Sequence, residues 1–262
     1  MIDTHCHLTF DQLADRVDDV LAAARASGVR GVITVSTTSE HCGAGLDLAH
    51  RHADVWCTAG VHPLYAAKPR DWDEIRRVAE DPRCVAWGEL GLDNHYDDPP
   101  RRLQDEVLAE QIALIETAAD DGLEMPVVVH CREAFDELLS IFRVSRLDPA
   151  RFVFHCFTGS LAEARAVLDF GAWISFTGIV TFGSAGEVAE AARLVPADRI
   201  MVETDAPFLT PAPHRKVWPN EPKYVVHTAR FVADLRGVDP VEFERQLDAN
   251  AERFFGVKLP EL

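Results

Sequence analysis

Eight short runs rich in β-branched and aromatic residues, at 2–7, 29–36, 55–61, 84–89, 127–131, 152–157, 173–176 and 200–204, alternate with stretches whose apolar residues recur at helical spacing. The helical stretches are 12–26, 40–52, 72–80, 103–119, 134–142, 161–170 and 186–194, with two more, 223–235 and 241–254, after the eighth run. Leu103, Val107, Leu108, Ile112 and Ile115 form one apolar stripe, and Gly28, Gly122 and Gly171 stand between a helical run and the next strand as stop signals. A strand followed by a helix, eight times over, is the pattern of an α/β fold of the (β/α)8 TIM-barrel type. An open doubly wound sheet uses the same alternation, and periodicity alone does not separate the two. The first strand does lack the GxGxxG turn of dinucleotide-binding sheets.

At 262 residues, 47% hydrophobic and 26% charged, the chain has the composition of a globular protein with a sizeable core. No linker or charge block divides it, so residues 1–262 are expected to form one domain. No apolar run approaches the ~20 residues of a membrane span, and Met1-Ile2-Asp3-Thr4-His5 has no basic leader segment; a cytoplasmic location is the expectation. Six cysteines include no CxxC pair and are expected to be reduced and mostly buried. The net charge of −17 opposes generic attraction to nucleic acid. A phosphate-bearing substrate would need local positive charge, which bound divalent cations supply. No obligate protein partner is expected.

The first run ends His5-Cys6-His7, and because strand side chains alternate, both imidazoles can grip one ion. The fifth and sixth end at His130-Cys131 and at His155-Cys156. The fourth ends at Glu89, and the eighth leads through Glu203 to Asp205. Carboxylates are seldom fully buried unless paired or bound to metal. Four histidines and two carboxylates, His5, His7, Glu89, His130, His155 and Asp205, converge only if the sheet closes into a barrel. Mixed imidazole and carboxylate ligation suits Zn, Mn, Fe or Ni better than Mg. Six ligands are too many for one catalytic ion with an open position, so a pair of ions sharing a carboxylate fits better. Such a pair stabilises the attacking and leaving oxygens of a displacement, which points to hydrolysis of a phosphoester or an acyl bond. Ions that merely stiffen the barrel are the alternative, but structural zinc usually has a closed four-ligand shell.

The segments Asp3-Thr4-His5-Cys6-His7, Gly60-Val61-His62-Pro63, Gly88-Glu89-Leu90-Gly91-Leu92-Asp93, Val129-His130-Cys131-Arg132, His155-Cys156-Phe157-Thr158-Gly159 and Glu203-Thr204-Asp205-Ala206-Pro207 span most of the chain in one order. With them the chain resembles the TatD family of metal-dependent deoxyribonucleases, within the amidohydrolase-like barrels, and most closely its YcfH-like branch. The resemblance implies that His5, His7 and Asp205 hold one divalent cation and His130 and His155 a second, with Glu89 between them. It leaves Zn, Mn or Mg open as the metal. It implies exonucleolytic hydrolysis of DNA phosphodiesters by a metal-activated water, with Asp205 and Glu89 as the catalytic carboxylates. Deacylation of D-aminoacyl-tRNA is the alternative activity it suggests.

Two positions depart from the family pattern. Leu64 stands where many members have a second His, and Lys216 follows Arg215 where relatives usually carry Gly. Four residues are further candidates beside the ligand set. His62 can donate to a phosphate oxygen or pack on Pro63. Arg132 suits a phosphate fork, with a salt bridge to Glu133 or Asp136 as its rival. Glu203 is placed to orient a ligating His or to form a structural ion pair. Arg215, with Lys216, Lys223 and Trp218, forms a basic and aromatic cluster suited to a nucleic-acid strand, unless these are ordinary solvated loop charges. Asp93 and Tyr96 are placed in the loop after Glu89, as residues that order it.

Overall fold

The computed structural model describes residues 1–260. Eight parallel strands stand in chain order: β1 (Ile2–Cys6), β2 (Gly31–Thr34), β3 (Val55–Ala59), β4 (Cys84–Asp93), β5 (Val127–Arg132), β6 (Phe152–Phe154), β7 (Trp173–Phe176) and β8 (Ile200–Val202). Helices follow each strand: α1 (Asp11–Ala14) and α2 (Val17–Ala26), α3 (Ser39–Arg51), α4 (Trp72–Ala79), α5 (Arg101–Asp120), α6 (Phe135–Val144), α7 (Leu161–Phe170), α8 (Gly186–Leu194), α9 (Val225–Arg236) and α10 (Pro240–Phe255). The alternation resolves to a TIM barrel and not to an open sheet.

The seam between β1 and the end of β8 is made by few backbone contacts. Cys6 and Ala206 form a single bridge, His7 N–H donates to the Ala206 carbonyl at 2.7 Å, and Asp205 N–H donates to the His5 carbonyl at 2.9 Å. One turn below, a side chain takes over the ladder: the Asp3 carboxyl receives the Thr204 N–H at 2.9 Å and meets the Thr204 hydroxyl at 2.5 Å. Asp3 is fully buried, and burial pushes its pKa up to about 8 against the pull of the Thr204 bonds. The hydroxyl is therefore a required partner whichever of the two carries the proton.

Strand alternation divides the core into two. The larger apolar cluster joins the outer faces of the strands to the helices. The smaller takes the other set, including Ile2, Ile33, Trp56, Val128, Val153, Trp173 and Met201, and closes at the N-terminal ends of the strands on Phe254, Phe255, Val257 and Leu259. The end of α10 and the segment after it thus seal the floor of the barrel.

Most boundaries shift by a few residues from the sequence pattern, and three of the differences bear on how the chain is held. The stretch 12–26 breaks at Arg16, which leaves helical dihedrals (φ −137°) where its guanidinium reaches Glu221 at 2.6 Å. The stretch 223–235 starts as a single 3₁₀ turn, Pro222–Tyr224, before α9. The fourth strand does not stop at Glu89 but continues to Asp93. Gly91 lets it do so: at φ +147° it passes so near β5 that a Cβ there would lie 1.9 Å from the His130 carbonyl oxygen.

Thr204→Val keeps the shape at the seam but removes the hydroxyl that serves Asp3 and also accepts the Ala206 N–H at 3.1 Å. It is expected to lower unfolding free energy by about 1–3 kcal/mol, the usual cost of orphaning a buried polar group. Urea denaturation of the two proteins side by side measures this; coincident midpoints would show that the seam does not depend on the pair.

Candidate metal centre at the barrel mouth

Two local irregularities aim the central side chains. Between Asp3 and Cys6, β1 advances three residues while β2 advances two, and between Trp87 and Leu90, β4 advances three while β5 advances two. An extra residue in a strand reverses which way its neighbours point. These bulges contain His5 and Glu89, and both side chains end up in the mouth of the barrel, almost wholly buried. His155 and Asp205 lie just past the ends of their strands rather than on them, where Cys156 (φ +44°) and Asp205 (φ +54°) adopt left-handed dihedrals that turn the chain after β6 and β8. Aspartate tolerates that conformation better than most side chains. Strained backbone of this kind gathers at functional sites.

Glu89 is the hub. Its Oε1 lies 2.6 Å from His155 Nε2, 2.9 Å from His130 Nδ1 and 3.3 Å from His62 Nε2, and its Oε2 lies 3.2 Å from His5 Nε2 and 3.9 Å from His7 Nε2. Burial pushes the Glu89 carboxyl up, but the imidazoles of His155, His62 and His5 with the His130 hydrogen bond outweigh it and hold it well below the carboxylate range. Asp205 Oδ1 stands 3.2 Å from His7 Nε2 and 3.7 Å from His5 Nε2. Three groups of side chains are close enough to share an ion: His5, His7 and Asp205; His5, His155 and Glu203; and His62, Glu89 and His130.

The outer hydrogen bonds assign the ring tautomers. His7 Nδ1 donates to the Val35 carbonyl at 3.0 Å, which leaves its Nε2 lone pair facing Asp205. His130 Nε2 donates to Asp93 Oδ2 at 3.0 Å, which turns its Nδ1 lone pair toward Glu89. His155 Nδ1 is 3.3 Å from Glu203 Oε1, with its Nε2 facing Glu89. Lone pairs facing carboxylates repel unless protons or metal cations lie between them. In keeping with that, the pKa values of His130 and His155 rise despite burial, through the carboxylates beside them. Both ring nitrogens of His5 and of His155 are buried without a hydrogen bond of acceptable geometry, and the two rings stack at 3.9 Å. Orphaned imidazole nitrogens converging on carboxylates fit divalent cations.

His62 is different. Its Nδ1 accepts the Leu64 N–H at 3.0 Å, so in the neutral ring the proton sits on Nε2 and points into the mouth as a donor. Burial pushes its pKa down to about 4. Although it stands close to Glu89 and His130, His62 presents a proton there and no lone pair.

The sequence reading placed Asp93 in a loop; it is instead the last residue of β4, where it receives the His95 and Tyr96 N–H groups and fixes His130. The signal that could have found it is the spacing of Glu89, Gly91 and Asp93, a strand pattern interrupted by glycine. Glu203 is held by the Cys156 N–H at 2.6 Å and the Ser175 hydroxyl at 2.7 Å, within reach of His155. Arg132 lines the cleft and lies 5.2 Å over the Tyr96 ring, in no ion pair among the described residues; Glu133 pairs with His95 instead. Arg215 does not reach the cleft wall and lies over Phe182, 3.6 Å from its centroid. Lys223 is held by Glu221 at 2.6 Å and does not join Arg215 and Lys216 as a free charge. The cleft encloses about 650 Å³ above the carboxylates, walled by Phe10, Tyr65, Tyr96, Arg132 and Phe208. All six cysteines are free; five are buried and Cys156 is partly so.

The chain is similar along nearly its whole length to known proteins. The family model described as TatD related DNase matches residues 2–256. The uncharacterized metal-dependent hydrolase YcfH of Escherichia coli K12 is 38% identical over 260 residues, covering 98% of this chain and 96% of its own. The 3'-5' ssDNA/RNA exonuclease TatD of Erwinia tasmaniensis is 39% identical over 271 residues, covering 98% and 100%. Among solved structures, the TatD homologue YjjV of E. coli K12 superposes with a TM-score of 0.90 at 28% identity over 98% of both chains. A β-aspartyl dipeptidase of Fervidobacterium islandicum, at 18% identity and a TM-score of 0.68, shares the fold. With the whole barrel matched and its mouth built of histidines and carboxylates, the chain belongs to the TatD family of metal-dependent hydrolases.

Proposed function

We propose that this hydrolase cleaves phosphodiester bonds of single-stranded nucleic acid, DNA foremost, from a chain end, with two divalent cations at the mouth. The observation that carries the reading is the set of imidazole lone pairs turned on the buried Glu89, a surplus of donor atoms beyond what one ion with an open position takes. His5, His7 and Asp205 would hold one cation, His130 and His155 the other, and Glu89 would serve both. Bound there, the cations supply positive charge for the phosphate and make water more acidic.

The remaining work falls to side chains. Asp205 accepts the proton of the attacking water. His62 Nε2–H donates to a phosphate oxygen, its direction set by the Leu64 bond. Arg132, unpaired on the cleft wall, presents its fork to the same phosphate. Glu203 and Asp93 hold His155 and His130 in one orientation and so act as positioning residues. The exonuclease relative supports nucleic acid as substrate.

An end-labelled single strand, incubated with metal-stripped protein and Mg, Mn or Zn restored separately, tests the reaction. Stepwise loss of terminal nucleotides is expected. Release of an amino acid from charged tRNA, with the labelled strand intact, would favour a deacylase instead. Metal analysis after loading should approach two equivalents per chain and fall to about one in His130→Ala; a plateau at one, unaltered by that substitution, contradicts the two-ion reading. Asp205→Asn is expected to slow turnover by at least roughly 10²-fold, the usual loss with a general base. Near-wild-type turnover with both ions retained would remove Asp205 from proton transfer.

A further inference from the structure

We infer that the segment after β8, residues 206–222, is a preformed arm that receives the unpaired strand leaving the cleft, with Phe208 and Trp218 as its base-stacking faces. The inference rests on the nuclease reading above and adds where the substrate lies outside the site. A volume of about 650 Å³ is that of a small-ligand pocket, so it takes the end of a strand and the rest must cross the rim.

A line of aromatic rings starts at the metal centre and runs outward. Phe10 stacks on His7 at 4.6 Å, Phe208 meets Phe10 at 6.1 Å, and Trp218 meets Phe208 at 5.9 Å. Exposure rises along it: Phe10 is half-buried, Phe208 is 38% exposed and Trp218 is 60% exposed. Phe208 and Trp218, in ring contact and both exposed, make a continuous aromatic patch rather than one scattered apolar side chain, and such patches mark interaction sites.

The arm holds it there rigidly. Asn220 is fully buried, and its amide donates to the Thr204 and Phe208 carbonyls, at 3.0 and 2.5 Å, while its N–H donates to the Pro207 carbonyl at 2.8 Å. The Thr210 hydroxyl donates to the Val217 carbonyl at 2.9 Å, and Ala212 N–H donates to Thr181 Oγ1 at 2.9 Å. Glu221, the next residue, is clamped by Arg16 and Lys223, each at 2.6 Å. The backbone that carries both rings is thus fixed before any ligand arrives, and little of its ordering entropy remains to be lost on binding.

Charge selects the occupant. Arg215 and Lys216 stand exposed on the same arm, three and two residues before Trp218, with the Arg215 guanidinium over Phe182 and neither in an ion pair among the described residues, on a chain whose net charge is −17. A second copy of this acidic chain would be repelled overall, whereas a polyanion with exposed base faces meets both the cations and the rings. Bases in a duplex are already stacked, so the arm selects an unpaired strand.

The test uses Trp218→Ala and the conservative Trp218→Phe. With protein stripped of metal by a chelator, oligothymidylate should quench the emission of the exposed indole, and Trp218→Phe should abolish that component. With metal restored, Trp218→Ala should raise KM for the oligonucleotide roughly 5- to 150-fold, the range for one base–aromatic stack, and Trp218→Phe should recover most of it. The ratio of kcat/KM for the oligonucleotide to that for bis(p-nitrophenyl) phosphate should fall in Trp218→Ala. Unaltered KM and no quenching, in a protein that still digests the strand, overturn the arm and leave the nuclease reading standing. Hydrolysis of the small diester without digestion of any strand would remove both.

Discussion

One buried carboxylate dictates the architecture of the mouth. Glu89 is 1% exposed and faces five imidazoles from four strands or strand ends. A charge removed from water must be matched by opposite charge within a few ångströms, or it neutralises. The rest of the rim follows from that requirement. The bulge in β4 brings Glu89 inward, that in β1 brings His5 to it, and left-handed turns after β6 and β8 direct His155 and Asp205 to the same point. Outside this ring stands a second set of acids, Asp93 and Glu203, which set the direction of His130 and His155. The arrangement is costly as a piece of structure, since buried charges often contribute less to stability than apolar side chains of similar volume.

Much of this was legible in the residue order. Strands of a parallel barrel deliver their C-terminal ends to one face, so polar residues ending apolar runs could be assigned to one rim without coordinates. His5, His7, Glu89, His130, His155 and Asp205 do gather there. What could not be read was register. Period-two alternation cannot reveal a bulge, and a glycine that permits close approach looks like one that ends a strand; hence the pattern stops at Glu89 while β4 itself runs on to Asp93. Charge pairing across distant segments was equally hidden. Lys223 reads as part of a basic cluster until Glu221 and Arg16 are seen beside it, and Arg16 reads as mid-helix until that same contact turns it out.

Histidine state was the other thing beyond sequence. His62 and His130 both face Glu89, yet one offers a proton and the other a lone pair. The difference lies in a backbone N–H two residues along the chain in one case and a carboxylate on the neighbouring strand in the other. Leu64 supplies that N–H, so position 64 sets the His62 tautomer through its backbone while the residue also lines the cleft.

The sealed floor has a consequence of its own. Phe254, Phe255, Val257 and Leu259 fill the lower end of the barrel, so the cavity is a blind well. Nothing can be threaded through it: whatever enters leaves by the same opening, so substrate and products share one doorway. For the polymer substrate proposed above, traffic across a single doorway favours short excursions of a free terminus over passage along the length of the strand.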